Sequence, residues 1–420
     1  MIKKITPSKI SGEIKAPSSK SYMQRAVAIA VLANGKTTIH NPSFCNDAMS
    51  AIAMAKELGA EIKINQEEVV ITGPKTICGG NLNAGESGLG IRMFSPISAL
   101  SNEHINITGE GSLKNRPVNM LEEPLKSLGA EISTNNSFLP IKIKGPLSGG
   151  KVKVDGSISS QFLSGLLIAL PLAEKDSVVE VNSLQSKPYV DMTLEIIHHF
   201  GVSIENHNYE NFIINGGKKY TAKDYMVEGD WSAAAFHLVA AAIAGDVSVS
   251  NLNLKSKQAD IKIIDVIKLA GADVIFSKGN NKMVGSISVS KNKLKAFNFD
   301  ATHCPDLFPP LVVLCAACEG KSEIKGVDRL KHKESERATV LKEEMAKIGI
   351  QIEINGNIMI VNGGKIISGT IDSHNDHRIA MAAAVAALIS NKGISIEGAE
   401  AINKSYPEFF DDLAVLTSKQ

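Results

Sequence analysis

The chain has 420 residues, 44% of them hydrophobic, which is enough to bury substantial cores and suits two domains. Its 45 Lys and Arg nearly balance 44 Asp and Glu, for a formal charge of +1, so it lacks the global basic field of a nucleic-acid binder and any anion site must be local. The longest apolar runs, 162–173, 311–318 and 379–389, are too short to span a bilayer and the first residues lack a secretory apolar core, so a cytoplasmic protein with no membrane partner is expected.

In chain order one unit recurs six times: a polar loop, an apolar helix, a turn, a short strand, a second polar loop, a second helix and a closing hairpin. Copy one has its first loop at 16–24, a helix near 25–33, a strand at 37–40, a second loop at 41–46 and a helix ending at Gly59. Alternation at Ile62, Ile64, Val69 and Ile71 predicts its hairpin. In copies two to five the first helices begin near Ile91, Gln161, Ser232 and Asp306, and the first strands lie near Ile105, Val178, Val247 and Glu323. The second helices end in Leu58-Gly59, Leu128-Gly129, Phe200-Gly201, Ala270-Gly271 and Ile348-Gly349. This period of about 70 to 80 residues is longer than that of solenoid repeats. Copy six starts at 375–378, continues through a strand at 394–397 and stops after a helix near 407–416, without a hairpin. The strand-like stretch 2–14 is available to supply the missing strand. Copies one to three then form one domain, 17–229, and copies four to six with the N-terminus form a discontinuous one, 1–16 and 230–420, joined by linkers at 15–19 and 226–230.

Five cysteines form no even framework, and Cys315 and Cys318, though spaced C-x-x-C, lie in an apolar run and read as core packing. Gly85, Gly88 and Gly90 are not in the order of a dinucleotide fingerprint, and no phosphate-loop motif is present.

The unusual polar residues fall in the two loops of each unit. The first loops carry Ser18-Ser19-Lys20-Ser21 with Arg25, Glu86-Ser87-Gly88 with Arg92, 157–161, Glu228-Gly229-Asp230, 300–306 and Asn375-Asp376-His377-Arg378. Their serines and acids suit ordinary caps. The cations Lys20, Arg25, Arg92 and Arg378 do not, because positive charge at a helix start opposes the dipole unless an anion binds there. The second loops add Arg116, Lys187-Pro188-Tyr189, the run 329–337 and Lys404. Glu334 beside Lys333 and Arg337 puts a carboxylate among cations, as in sites that move protons next to phosphate. His332 and His374 lack metal-ligand spacing and read as surface residues, whereas His377 is divided between capping and an active-site role.

Five stretches carry a family resemblance: Pro17-Ser18-Ser19-Lys20-Ser21 with Arg25; Asp155-Gly156-Ser157-Ile158-Ser159-Ser160-Gln161-Phe162; Ser186-Lys187-Pro188-Tyr189; Lys333-Glu334-Ser335-Glu336-Arg337; and Asn375-Asp376-His377-Arg378. On these the chain resembles the enolpyruvyl transferase family, in particular its 5-enolpyruvylshikimate-3-phosphate synthase branch. The resemblance implies an α/β (α+β) fold, a two-domain inside-out α/β barrel of six βαββαβ repeats, three per domain, with the active site in the cleft between them. It implies enolpyruvyl transfer from phosphoenolpyruvate to the 5-hydroxyl of shikimate-3-phosphate with release of phosphate, a step of aromatic amino acid biosynthesis. No metal or organic cofactor, no nucleic acid and a monomer are implied.

Carried over residue by residue, the resemblance sets phosphoenolpyruvate against Lys20, Gly88, Arg116, Gln161, Arg337, Arg378 and Lys404. Shikimate-3-phosphate would meet Ser21, Arg25, Ser159, Ser160, Gln161, Ser186, Asp306 and Lys333. Proton transfer falls to Asp306 and Glu334, with Lys20 assisting. The loop Glu86-Ser87-Gly88-Leu89-Gly90-Ile91-Arg92 departs from the Asn-Ala-Gly-Thr-Ala-Met-Arg run common in the family: Gly88 and Arg92 keep their places, while Glu86 replaces an amide and Leu89 a hydroxyl. The alternatives are the sister activity on UDP-N-acetylglucosamine, whose loop cysteine is missing from 109–115, and a non-catalytic repeat scaffold.

Overall fold

Copy two shows how the residues build a unit. Gly80–Asn83 leads into the helix Gly88–Ser98, then the strand Ile105–Thr108, the short helix Glu122–Ser127 and the hairpin Glu131–Asn135 with Phe138–Lys144. The first two strands pair in parallel, the second pairs antiparallel with the last strand of the hairpin, and the third takes the outer edge. Ile105, Ile107, Ile141 and Ile143 alternate inward along these strands and bury one face of the sheet. The computed structural model describes residues 1–157, 160–278, 284–331 and 333–418. Its described strands make five four-stranded sheets, one three-stranded sheet and a small pair. The two helices of a unit therefore alternate with its strands, giving βαβαββ, the order read from the residues, rather than βαββαβ.

The chain divides into two units, Met1–Pro17 with Glu228–Gln420, and Ser18–Val227. In each, the three first helices pack on one another: Lys20–Leu32, Gly88–Ser98 and Ser160–Ala169 in one, Trp231–Ala244, Phe308–Ala317 and His377–Ala387 in the other. Gly88–Ser98, Trp231–Ala244 and His377–Ala387 are buried along their whole length, as helices apolar on every side must be. The second helices, such as Ile263–Ala270, bury one stripe only.

Sequence-distant strands complete three of the sheets. Ile2–Ile5 runs antiparallel to Ile394–Glu397 and stands where copy six lacks a hairpin. Ile10–Lys15 runs parallel to Gly245–Asn253 and becomes the first strand of copy four, while Tyr225–Met226 does the same for Lys36–His40 of copy one.

Helix starts differ from the sequence expectation. Copy one begins at Lys20 rather than Arg25, and copy two at Gly88 rather than Ile91, because Ser19 accepts the Tyr22 N–H and Ser87 the Gly90 N–H. Arg25 and Arg92 thereby lie in the second turn. Copy five's helix begins at Phe308, after a short 3-10 turn Pro305–Leu307 that holds Asp306.

Candidate active site

Within Ser18–Val227 one cluster gathers at the starts of the first helices. Lys20, the first residue of its helix, meets the buried Asp47 of Asn46–Glu57 at 2.8 Å. Gly88 opens its helix between two guanidinium groups: a Cβ there would lie 2.9 Å from Arg116 Nη1 and 3.2 Å from Arg92 Nη1. Arg92 Nη1 donates to Gln161 Oε1 at 2.7 Å, and Arg116 Nη2 donates to Ser112 Oγ at 3.1 Å. Both arginines are buried, and Arg116 Nε has no hydrogen-bond partner. Two cations and a helix N-terminus converging on a residue without a side chain make an arrangement that can cradle an anion.

Arg25 lies deeper. It donates through Nε to Thr193 Oγ1 at 2.9 Å, through Nη1 to the Ser21 carbonyl at 2.9 Å, and through Nη2 to the Tyr189 carbonyl at 3.1 Å and Ser164 Oγ at 3.5 Å. At most one of its five N–H donors remains for a ligand. Burial pushes its pKa down to about 10. Ser186 sits at the start of Lys187–His199 with φ 56°, and Ser160 opens Ser160–Ala169; both are buried. Ser159 lies outside the described residues, as does His332.

The second cluster, in the unit containing Glu228–Gln420, is centred on Asp306. Its Oδ1 receives Lys333 Nζ at 3.0 Å and Arg337 Nη1 at 2.9 Å, and its Oδ2 lies 3.1 Å from Arg378 Nη2. Arg337 also donates through Nε to Asp376 at 2.9 Å and through Nη2 to Glu334. Glu334 Oε1 stands 4.0 Å from Arg378 Nη1. The second turn of charges is held by backbone: Asp376 caps His377–Ala387 by accepting the Arg378 N–H at 3.0 Å, and Lys404 Nζ donates to the Asn375 carbonyl at 2.6 Å.

Charge balance here is internal. Lys333, Arg337 and Arg378 face Asp306, Glu334 and Asp376. Burial works to raise the Asp306 pKa, but Arg378, Lys333 and Arg337 outweigh it and hold the carboxyl well below the usual range. Burial likewise lowers Lys333, against the pull of Asp306. Asp260, buried in the turn Ala259–Lys262, is pushed up to about 7 by burial and then by the Asp306 charge. His377 is fully buried with Nε2 2.6 Å from Arg378 Nη1; an arginine only donates, so in this contact the ring nitrogen accepts. His374 is exposed, as read from the sequence, and its Nε2 lies 2.8 Å from the buried Glu344 Oε1.

The structure thus brings together Gly88, Arg116 and Gln161 in one unit, and Asp306, Lys333, Glu334, Arg337 and Arg378 in the other, with Lys404 tied to the Asn375 carbonyl. Sequence reasoning missed Asp47, Asp260, Thr193 and the contact of Arg378 Nη2 with Ser232 Oγ at 2.8 Å. Asp376 stood in the Asn-Asp-His-Arg stretch among the acids read as caps, and its pairing with Arg337 was not foreseen; the others carry no local signal. Cys315 and Cys318 are buried free thiols. Among the described residues no helix is long and apolar enough to cross a membrane.

Comparison with known proteins adds a family. The family model described as EPSP synthase (3-phosphoshikimate 1-carboxyvinyltransferase) matches residues 5–413. The chain is 37% identical over 417 residues to a 3-phosphoshikimate 1-carboxyvinyltransferase of Clostridium perfringens (strain 13 / Type A), covering 98% of this chain and 97% of that protein. It is 36% identical over 426 residues to the protein of that name in Methanosarcina acetivorans, covering 99% and 97%. Among solved structures it is similar to EPSP synthase from Acinetobacter baumannii, with a TM-score of 0.84, 27% identity and coverage of 99% of this chain and 98% of that one.

Proposed function

The chain belongs to the EPSP synthase (3-phosphoshikimate 1-carboxyvinyltransferase) family, and we propose how its two residue clusters serve the family's transfer of an enolpyruvyl group from phosphoenolpyruvate to shikimate-3-phosphate. In that reaction the bond from C2 to the phosphate oxygen breaks and a bond from C2 to the 5-hydroxyl oxygen forms. The methylene carbon takes a proton and later returns one, and the hydroxyl proton leaves with phosphate. Both substrates are multiply anionic, which is what the local cations answer to.

Phosphoenolpyruvate is assigned to Lys20, Gly88, Arg116 and Gln161 together with Arg337, Arg378 and Lys404. Shikimate-3-phosphate is assigned to Ser21, Ser159, Ser160, Gln161, Ser186, Asp306 and Lys333. Arg25 belongs with this second set chiefly by fixing the Ser21 and Tyr189 carbonyls, since four of its donors are committed within the protein. The observation that carries the reading is the grip of Lys333, Arg337 and Arg378 on one carboxylate, Asp306, with Glu334 on two of the same cations.

So held, Asp306 is too weak a base to take a hydroxyl proton. Incoming phosphate and carboxylate groups compete for the same guanidinium and ammonium donors, and each contact they displace returns basicity to Asp306 and Glu334. Substrate binding thereby switches on the proton-transfer groups, and positioning with charge stabilisation supplies the rest of the rate. The catalytic set is Asp306 and Glu334 with Lys20 assisting; the enzyme is read as cytoplasmic and monomeric, working without a cofactor.

Phosphate release tests this directly. Phosphoenolpyruvate with shikimate-3-phosphate should yield phosphate and the enolpyruvyl ether. Release only with UDP-N-acetylglucosamine would move the assignment to the sister activity, and no release with either would leave a scaffold.

A further inference from the structure

An acid at position 86, two residues from the anion cradle, opposes phosphate binding unless its charge is spent elsewhere. It is. Glu86 Oε2 accepts the Ser112 N–H at 3.0 Å, at the start of the turn Gly111–Asn115, where a carboxylate complements the exposed backbone N–H groups. Gly111 has φ +49°, a conformation that favours glycine, and a Cβ there would overlap the Glu86 carboxylate and push it from its present place. Ser112 in turn offers its hydroxyl oxygen to Arg116 Nη2 at 3.1 Å. The two loops are stitched further by the Glu110 N–H to the Gly85 carbonyl at 2.6 Å and by Asn83 Nδ2 to Glu110 Oε1 at 2.7 Å.

We propose that Glu86 is a positioning residue for Arg116: it pins Ser112, whose hydroxyl aims the guanidinium at the Gly88 cradle. The proposal rests on the functional reading in taking the cradle's anion to be phosphoenolpyruvate. It gives the departure at position 86 a purpose, because an amide or a carboxylate oxygen can accept the Ser112 N–H, but the carboxylate accepts it more strongly.

The test is kinetic and spectroscopic on the full chain. Glu86→Ala should raise KM for phosphoenolpyruvate about three- to tenfold, the loss of one aligned hydrogen bond, while kcat and KM for shikimate-3-phosphate stay within about twofold. Ser112→Ala should give the same split, and Glu86→Gln, which keeps an acceptor oxygen, should recover most of the affinity. In an Arg116→Ala background neither change should have further effect. A KM in Glu86→Gln below that of the parent chain, equal loss for both substrates, or an undiminished effect without Arg116 overturns the strut. Independently of turnover, the Arg116 Nε–H resonance should become more mobile in Glu86→Ala, and unchanged mobility also overturns it. If the wild-type chain fails to release phosphate from phosphoenolpyruvate, the functional reading falls, while the resonance still decides the strut.

Discussion

At the scale of single residues the second cluster sets a problem of proton supply. Arg337 is fully buried and serves three carboxylates, Asp306, Glu334 and Asp376; burial lowers its pKa, but Asp376 and then the other acids raise it above the ordinary value. Of the three acids, Asp376 is completely buried and already caps a helix, so it is committed to structure. Asp306 and Glu334 keep partial exposure, and they are the two assigned above to proton transfer. Glu334→Gln preserves the shape and a hydrogen-bond acceptor for Arg337 but removes the transferable proton. It should leave the KM values within a few-fold and lower kcat on the order of 100-fold, the usual weight of a positioned acid or base. Steady-state phosphate release measures both; an unchanged kcat removes Glu334 from the proton path.

At the scale of elements the first helix of copy two shows where stability and function part. Gly88 is its first residue, with an ordinary backbone conformation, so alanine costs nothing in φ and gains about 0.4 to 1 kcal/mol by restricting the unfolded chain. Its new methyl group would stand 2.9 Å from Arg116 Nη1, closer than real contacts come, and 3.2 Å from Arg92 Nη1, tight enough to need a shift of a few tenths of an ångström. The guanidinium groups must give way. Gly88→Ala should therefore melt no lower than the parent while KM for phosphoenolpyruvate rises at least several-fold and that for shikimate-3-phosphate holds. Calorimetry with steady-state kinetics checks it, and equal KM values in variant and parent would remove Gly88 from the cradle. Elements of this kind were largely legible in the sequence, because apolar alternation and the recurrent endings of an apolar residue followed by glycine mark strands and second helices locally. Their starts were misjudged by three to five residues at Lys20 and Gly88, since apolar periodicity begins a turn after the cap that begins the helix. Partners were less legible still. Thr193 and Ser164, which hold Arg25, sit on helices of copy three, and nothing within either stretch records that copy one will pack there. Lys20 looked like a bare cation because Asp47, its partner, reads as an ordinary first-turn acid.

At the scale of the whole molecule, the near-neutral total charge conceals the clusters, because Lys20 is matched by Asp47 and Lys333, Arg337 and Arg378 by Asp306, Glu334 and Asp376. The chain's ends matter more than the composition suggests. The strand Ile2–Ile5 pairs with Ile394–Glu397, the Met1 carbonyl accepts the Ala399 N–H at 3.2 Å, and the Met1 amino group meets Glu400 at 2.7 Å. That last pair is exposed and worth little by itself. The strand is different: without it the sheet of copy six keeps only Gly369–Asp372 and Ile394–Glu397, and the turn Ala399–Lys404 loses its bond to the Met1 carbonyl. Lys404 ends that turn and reaches the Asn375 carbonyl, so loosening there should be felt at the phosphoenolpyruvate contacts before any other part of the site. Deleting residues 1–5 should speed hydrogen exchange across 394–404, lower the melting temperature by about 3 to 10 °C, and raise KM for phosphoenolpyruvate more than that for shikimate-3-phosphate. Amides of 105–108, in the other unit, should exchange at the parental rate. Unaltered protection at 394–404 would mean that copy six's sheet holds without its third strand, and that Lys404 is placed by the helix His377–Ala387 and its loop alone.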